Sequence, residues 1–342
     1  MPTFCRHNRF LERCPICSKT LPGNEPAGGT PRRARGGGTS ARRQGTGGAR
    51  RTREGLRVRH EGRAVDDGYS SPLVPGLRAS ADAARLAEEI AFSSGRLAAL
   101  AIDPPGPYGE ARALASSDLE RATWICFLLA YLCPSEDEEP FASVQAVREL
   151  APGPAVLPGE LGGLLDNLAP GPRGSHEQGS GARTLEAYAL WATRAGGPEK
   201  PQATAFTGDL GWTPERRFAR LFERLALPGL SRAARYELLV SLGRLGIYEL
   251  SSDSLQPSSV RATGGEDPTT VAAKRIFGIG DPLLLDRRAA ALAEAAEVPI
   301  EALDLGFANW ASGRRATLGF PAEAAHDPSG IASVLGLDSP EG

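Results

Sequence analysis

From about residue 80 onward, apolar residues recur at spacings of three and four, the period of an amphipathic helix, and seldom at the two-residue spacing of a strand. ADAARLAEEIAFSSGRLAALA sets Leu86, Ile90, Leu97 and Leu100 on that period, with Ser80 as the predicted N-cap. SSDLERATWICFLLAYLC offers Ser117 and Glu120 as a capping box, then Trp124, Phe127, Leu128 and Tyr131. A helix apolar on every side is predicted to run through the core. Pro140 suits the first turn of a helix reaching Val147, and Thr184, Thr213-Pro214-Glu215 and Ser231 each open a further helical stretch. APGPAVLPGELGG and LAPGPRGSHEQGSG predict loop around a short apolar piece. The exception to the helical period is LRVRHEGRAV, which alternates about Glu61-Gly62 as a short hairpin does. The predicted fold class is mainly α.

Composition adds a core, a compartment and a charge division. At 342 residues and 41% apolar content the chain can bury a real core. It has no run approaching the roughly eighteen apolar residues of a membrane span, and its first residues are charged where a signal peptide is apolar. A cytoplasmic protein with no membrane partner is the expectation. The net charge of −2 conceals an asymmetry: residues 19–63 hold eleven Arg and one Lys against three Glu, a balance of +9. Residues 1–18 add +2, which leaves −13 for the remainder. GGTPRRARGGGTSARRQGTGGARRTR has no apolar period with which to offset the entropy of folding, so a disordered basic arm is expected, either seeking phosphate or serving as a spacer.

Three of the five cysteines and one of the four histidines fall within thirteen residues, as Cys5, His7, Cys14 and Cys17. Thiolates and imidazole are the donors of a tetrahedral structural zinc site, and so short a segment cannot fold on apolar burial alone. A redox C-x-x-C pair is the other reading, though it would need neither Cys5 nor His7. Cys126 and Cys133, seven apart in a helical pattern, are too distant for a disulfide and read as core thiols. The organisation expected is a zinc knuckle over 1–18, a basic Gly/Arg-rich linker with a possible short hairpin at its end over 19–66, and a helical domain over 67–342.

AAKRIFGIGDPLLLDRRAAALAEAAEVPIEALDLGFANW reads as helix, glycine bend at Phe277-Gly278-Ile279-Gly280, then helix. A dinucleotide site fails here, since a helix precedes the glycines and the third glycine is missing; Walker A, H-E-x-x-H and G-x-S-x-G sequences are also lacking. A helix-hairpin-helix can bring main-chain amides and a helix N-terminus to a DNA phosphate without reading sequence. A plain interhelical turn, with Asp281 as N-cap and Pro282 at the first helical position, fits the same residues.

With its h-x-G-h-G bend late in a helical chain, the sequence resembles the helix-hairpin-helix DNA glycosylase superfamily. It departs at Asp281, where a DNA-gripping hairpin often carries a basic or neutral residue. DLERATWICFLLAYLCPSEDEEPF, WTPERRFARLFERLALPGLSRAARYELLVSLGRLGIYEL and the hairpin stretch are similar to the alpha-glutamyl/putrescinyl thymine pyrophosphorylases, most closely the third clade. The resemblance covers about half the helical domain. It implies a glycosylase-like fold and a thymine hypermodification in DNA, in which the amine of glutamate or putrescine displaces pyrophosphate from an activated thymine methylene. It also implies an acid some twenty residues past the hairpin, for which Glu301 and Asp304 are the candidates, although neither matches the family's V-D pattern.

That chemistry asks for cations to hold DNA and pyrophosphate, and for a carboxylate to take the amine proton. Lys274 and Arg275 beside the bend, Gly278 and Gly280 within it, and Arg287 and Arg288 after it are the candidate nucleic-acid and pyrophosphate contacts. Phe307 and Trp310 could stack on a base or lie in the core. Asp304 could equally be a solvated surface residue. His60, His176 and His326 are assigned no role. The other reading of the whole is a non-catalytic zinc- and helix-hairpin-helix-containing DNA-binding or adaptor protein, favoured by the acidic body and Asp281.

Overall fold

The computed structural model describes residues 64–155, 157–257, 267–321 and 327–337, all within the compact unit His60–Gly342. Its regular structure is helical, as the apolar period predicts. The chain runs through α1 (Ser80–Ile102), α2 (Gly106–Leu114), α3 (Leu119–Leu132), α4 (Ala142–Leu150), α5 (Leu161–Asp166), α6 (Gly181–Gly196) and α7 (Pro201–Thr207). It continues through α8 (Pro214–Arg224), α9 (Arg232–Arg244), α10 (Pro268–Phe277), α11 (Pro282–Ala295), α12 (Ile300–Ser312) and α13 (Ser329–Val334). No helix among the described residues is long and apolar enough to cross a membrane. Cys5, His7, Cys14, Cys17, the basic arm and nearly all of the expected hairpin lie outside the described residues.

Two apolar cores organise the unit. The first gathers α2 to α9 and the C-terminal half of α1 around α3, in which every residue from Ala122 to Leu132 is buried. Phe127 stacks on Tyr188 of α6, ring centroids 3.7 Å apart. The second joins the N-terminal half of α1 to α10, α11, α12 and α13 through Ile90, Ile276, Leu285, Leu292, Leu303 and Phe307. Helix α12 is buried continuously from Ile300 to Trp310. It lies close along α1 because Gly306 has no side chain: a Cβ there would stand 3.1 Å from the Ile90 Cα. With α1 contributing to both cores, and Ala302 of α12 to the first, these two helices form the seam.

Helix starts divide into local and long-range cases. Thr213 and Ser231 cap α8 and α9 as their sequence predicts, accepting from the Arg216 and Ala234 amides. Ser80 does not cap α1; it is the first residue of the helix, and its amide and hydroxyl both donate to Asp67, thirteen residues earlier. The box of Ser117 and Glu120 does not form either. Asp118 caps α3, while Glu120 accepts from the Gln202 and Ala203 amides at 3.2 and 2.7 Å, supplying negative charge to the start of α7. Helix α6 begins at Gly181, so Thr184 is buried within it rather than opening it.

Candidate nucleic-acid interface and buried carboxylates

Helix α10 ends on Gly278 in the left-handed conformation, φ 66° and ψ 20°, a position glycine occupies without steric cost. Asp281 then caps α11, its Oδ1 accepting from the Leu283 and Leu284 amides at 3.0 and 3.1 Å. The bend therefore satisfies the N-cap reading of Asp281. It also leaves the positive end of α11 answered by the protein's own carboxylate.

One side of the bend rests on the protein. Phe277 is buried in the second core, and the Gly76 amide donates to the Ile276 carbonyl at 2.8 Å. The approach is so close that a Cβ on Gly76 would lie 2.0 Å from the Arg275 carbonyl oxygen. The other side is open: Gly278, Gly280 and Asp281 are exposed, and a Cβ on Gly280 would meet no atom within 4 Å. Main chain can thus be approached from outside at Gly280. Positive charge beside it comes from Arg287 and Arg288, both exposed, with Arg288 also donating to the Pro72 carbonyl at 3.3 Å.

Lys274 and Arg275 occupy the last turn of α10 and are half-buried. The Arg275 guanidinium lies over the Trp310 ring, 5.0 Å from its centroid, and Arg85 lies over the same ring at 5.5 Å. Trp310 and Phe307 are 1% and 0% exposed, so both are core residues, and no base can stack on them from outside.

The two expected acids sit at the seam. Asp304 is 2% exposed, not on the surface; its Oδ2 accepts from Arg173 at 2.5 Å and its Oδ1 accepts from Arg232. Arg232 also pairs through Nε with Asp267 at 2.9 Å and donates to the Leu255 carbonyl at 2.6 Å. Burial would lift the Asp267 carboxyl, but the Arg232 charge and hydrogen bonds from Thr270 outweigh it and hold the group below the ordinary value. Burial likewise works against the Arg232 charge, yet Asp304 and Asp267 raise its pKa above that of an ordinary arginine. Glu301 pairs with Arg244 at 3.1 Å and accepts from the Ser252 amide at 3.2 Å.

Arg232 and Arg244 come from α9 of the first core and Arg173 from the loop before α6, whereas Asp267, Glu301 and Asp304 belong to α10 and α12. Six charges from four segments meet in two adjoining clusters. Asp267 and the bend stand at opposite ends of α10, about 15 Å apart at 1.5 Å per residue. The carboxylates and the hairpin cations are thus held in different places: Arg275 on Trp310, Asp304 between Arg173 and Arg232.

Arg173, Arg232, Arg244 and Asp267 were not singled out in the sequence. Arg173 is one arginine in a glycine- and proline-rich loop, and Arg232 follows a good N-cap, where arginine is unremarkable. Their ion-pair partners separate them from other charges, and periodicity does not report contacts between distant segments. The available signal was Asp267-Pro268, a cap and first-turn proline pair like those of α8 and α11. His176 is 5% exposed; its Nε2 donates to the Leu165 carbonyl at 2.8 Å, and its Nδ1 is hydrogen-bonded with the Tyr131 hydroxyl at 3.1 Å. Cys126 and Cys133 are free and buried, and burial pushes the Cys133 thiol up to about 12.

Fold and site together define a helical protein with an outward-facing glycine bend and a charged seam between two cores. Comparison of the chain with protein-family models, curated proteins and solved structures finds no match.

Proposed function

We propose that this chain is a DNA base-modifying protein of helix-hairpin-helix glycosylase-like fold, replacing pyrophosphate on an activated thymine methylene with an amine such as glutamate or putrescine. The observation that carries the reading is a buried carboxylate, Asp304, held by two guanidiniums at the seam of the two cores. The exposed bend lies one helix away. Arg287 and Arg288 hold the DNA backbone beside the open main chain of Gly278 and Gly280, while Lys274 and Arg275 flank the bend from the last turn of α10. Three thiols and an imidazole at Cys5, His7, Cys14 and Cys17 suit structural zinc, which would order the N-terminal segment.

The target base leaves the helical stack before chemistry. Asp304 is 2% exposed, so the seam must part to admit it. Arg173, whose Nε has no hydrogen-bond partner among the described residues, then exchanges Asp304 for the incoming diphosphate and frees one carboxylate oxygen. The amine nitrogen attacks the methylene carbon, and the carbon–oxygen bond breaks. Pyrophosphate leaves with the electron pair, and the nitrogen's proton passes to Asp304.

The test is pyrophosphate release from DNA bearing pyrophosphorylated hydroxymethyluracil, with glutamate or putrescine supplied and the zinc content measured alongside. D304N should slow a single turnover by roughly 10²–10⁴-fold, the usual contribution of a general base. Because D304N also leaves two buried guanidiniums short of a partner, at a cost of about 3–5 kcal/mol, R244Q is the comparator that loosens the same seam while keeping Asp304. Equal slowing by both variants removes Asp304 from the chemistry. E301Q reports whether Glu301 shares the role.

A second reading, a non-catalytic DNA-binding or adaptor protein, is favoured by the closure of both acids in ion pairs and by Asp281 filling the start of α11. DNA binding with no pyrophosphate released from the modified DNA in the presence of either amine would establish it.

A further inference from the structure

Leu283 and Leu284 are 73% and 47% exposed, side by side in the first turn of α11. The core does not need them. Leu285, Ala289, Leu292 and Ala293 supply the buried face of that helix. The two leucines follow Gly280 by three and four residues, next to the one part of the bend that is open around the main chain. One turn further on, at i+4 from each leucine, stand Arg287 and Arg288, both exposed. An apolar lip backed by guanidiniums thus projects from the outer side of the hairpin.

The paired character of this surface favours one occupant. A purely apolar partner would leave Arg287 and Arg288 desolvated without counter-charge, whereas a nucleic acid offers phosphates to the arginines and base faces to the leucines. Asp281 does not dominate the lip, because its carboxylate turns back onto the Leu283 and Leu284 amides. We propose that Leu283 and Leu284 form a wedge that enters the base stack of duplex DNA, while Arg287 and Arg288 hold the adjoining phosphates. The inference rests on the DNA reading above and adds to it the element that opens the stack.

The experiment uses the full chain and duplex oligonucleotides carrying 2-aminopurine at successive positions, with fluorescence reporting unstacking and titrations run at several salt concentrations. Wild type should bind and raise the fluorescence. L283S/L284S should still bind, within about threefold, because phosphate contacts supply most of the affinity, but the fluorescence rise should be lost. R287Q/R288Q should weaken binding about tenfold or more at low salt and reduce the slope of log K on log salt by roughly 2. Circular dichroism and thermal melts, expected unchanged for these exposed sites, exclude misfolding. An unchanged fluorescence rise in L283S/L284S overturns the wedge and leaves the DNA reading standing. A dimer in wild type that the leucine substitutions dissolve assigns the lip to self-association and overturns the wedge. No DNA binding by wild type overturns both.

Discussion

Gly76, Gly278 and Gly280 border one bend under different constraints, and substituting each separates packing from function. A Cβ on Gly76 would stand 2.0 Å from a backbone oxygen, so G76A must displace the loop from α10 and should cost several kcal/mol, as severe overpacking does. Gly278 has space around it but a φ of 66°, so G278A should cost roughly 1–2 kcal/mol through its backbone alone. Gly280 has neither a close neighbour nor a left-handed φ. G280A should keep wild-type stability within about 0.5 kcal/mol in denaturant melts. If phosphate approaches the main chain here, the same substitution weakens DNA binding, because the methyl group occupies the open side. Unchanged affinity in a stable G280A chain would remove Gly280 from the interface.

At the scale of helices, the start of α10 carries a pH signature. Asp267 caps that helix, accepting from the Thr270 amide at 2.8 Å while pairing with Arg232. Its carboxyl is depressed on folding, so it contributes stability that is present above the unfolded value near pH 4 and lost as pH falls through the lower folded value. D267N should therefore destabilise by roughly 2 kcal/mol at pH 7, with the gap to wild type closing below about pH 4. Asp286, raised mainly by burial, has the opposite sign: its ionised form is disfavoured by folding, so its contribution improves as pH falls. Denaturant melts of D267N and D286N from pH 3 to 7 check both directions, and parallel curves would refute the assignment. The same elements mark what sequence patterning reveals. Caps whose partner lies two or three residues on, at Thr213, Ser231 and Asp281, are written into local order. Asp67 on Ser80 and Glu120 on α7 depend on segments brought together by folding, and no local pattern encodes them. For the same reason the bend was legible and the seam was not. A carboxylate in an all-buried helix looks like any other acid until Arg173, 131 positions away, is seen against it.

For the whole molecule, charge decides which segment would have to hold DNA under the proposed function. Residues 64–342 carry −13, which repels a polyanion at long range, whereas residues 19–63 carry +9. Arg287 and Arg288 beside the bend can neutralise two phosphates locally, which gives a slope of log K on log salt near −2. If the arm also engages the backbone, each of its cations that meets a phosphate adds about 0.9 to that slope, and the total becomes much steeper. Deleting residues 19–63 from the chain then separates the two contributions. An arm that binds DNA should leave, on deletion, a shallow residual slope near −2 and an affinity lowered more than tenfold at low salt, with the gap closing as salt rises. An arm that only tethers should leave both slope and affinity unchanged. Measured by fluorescence anisotropy on one duplex over a range of salt concentrations, the first outcome makes the bend a positioning element that depends on the arm for its grip. The second places the entire grip on the hairpin, where two arginines would have to overcome the repulsion of an acidic body, and the DNA reading would then stand or fall on R287Q/R288Q alone.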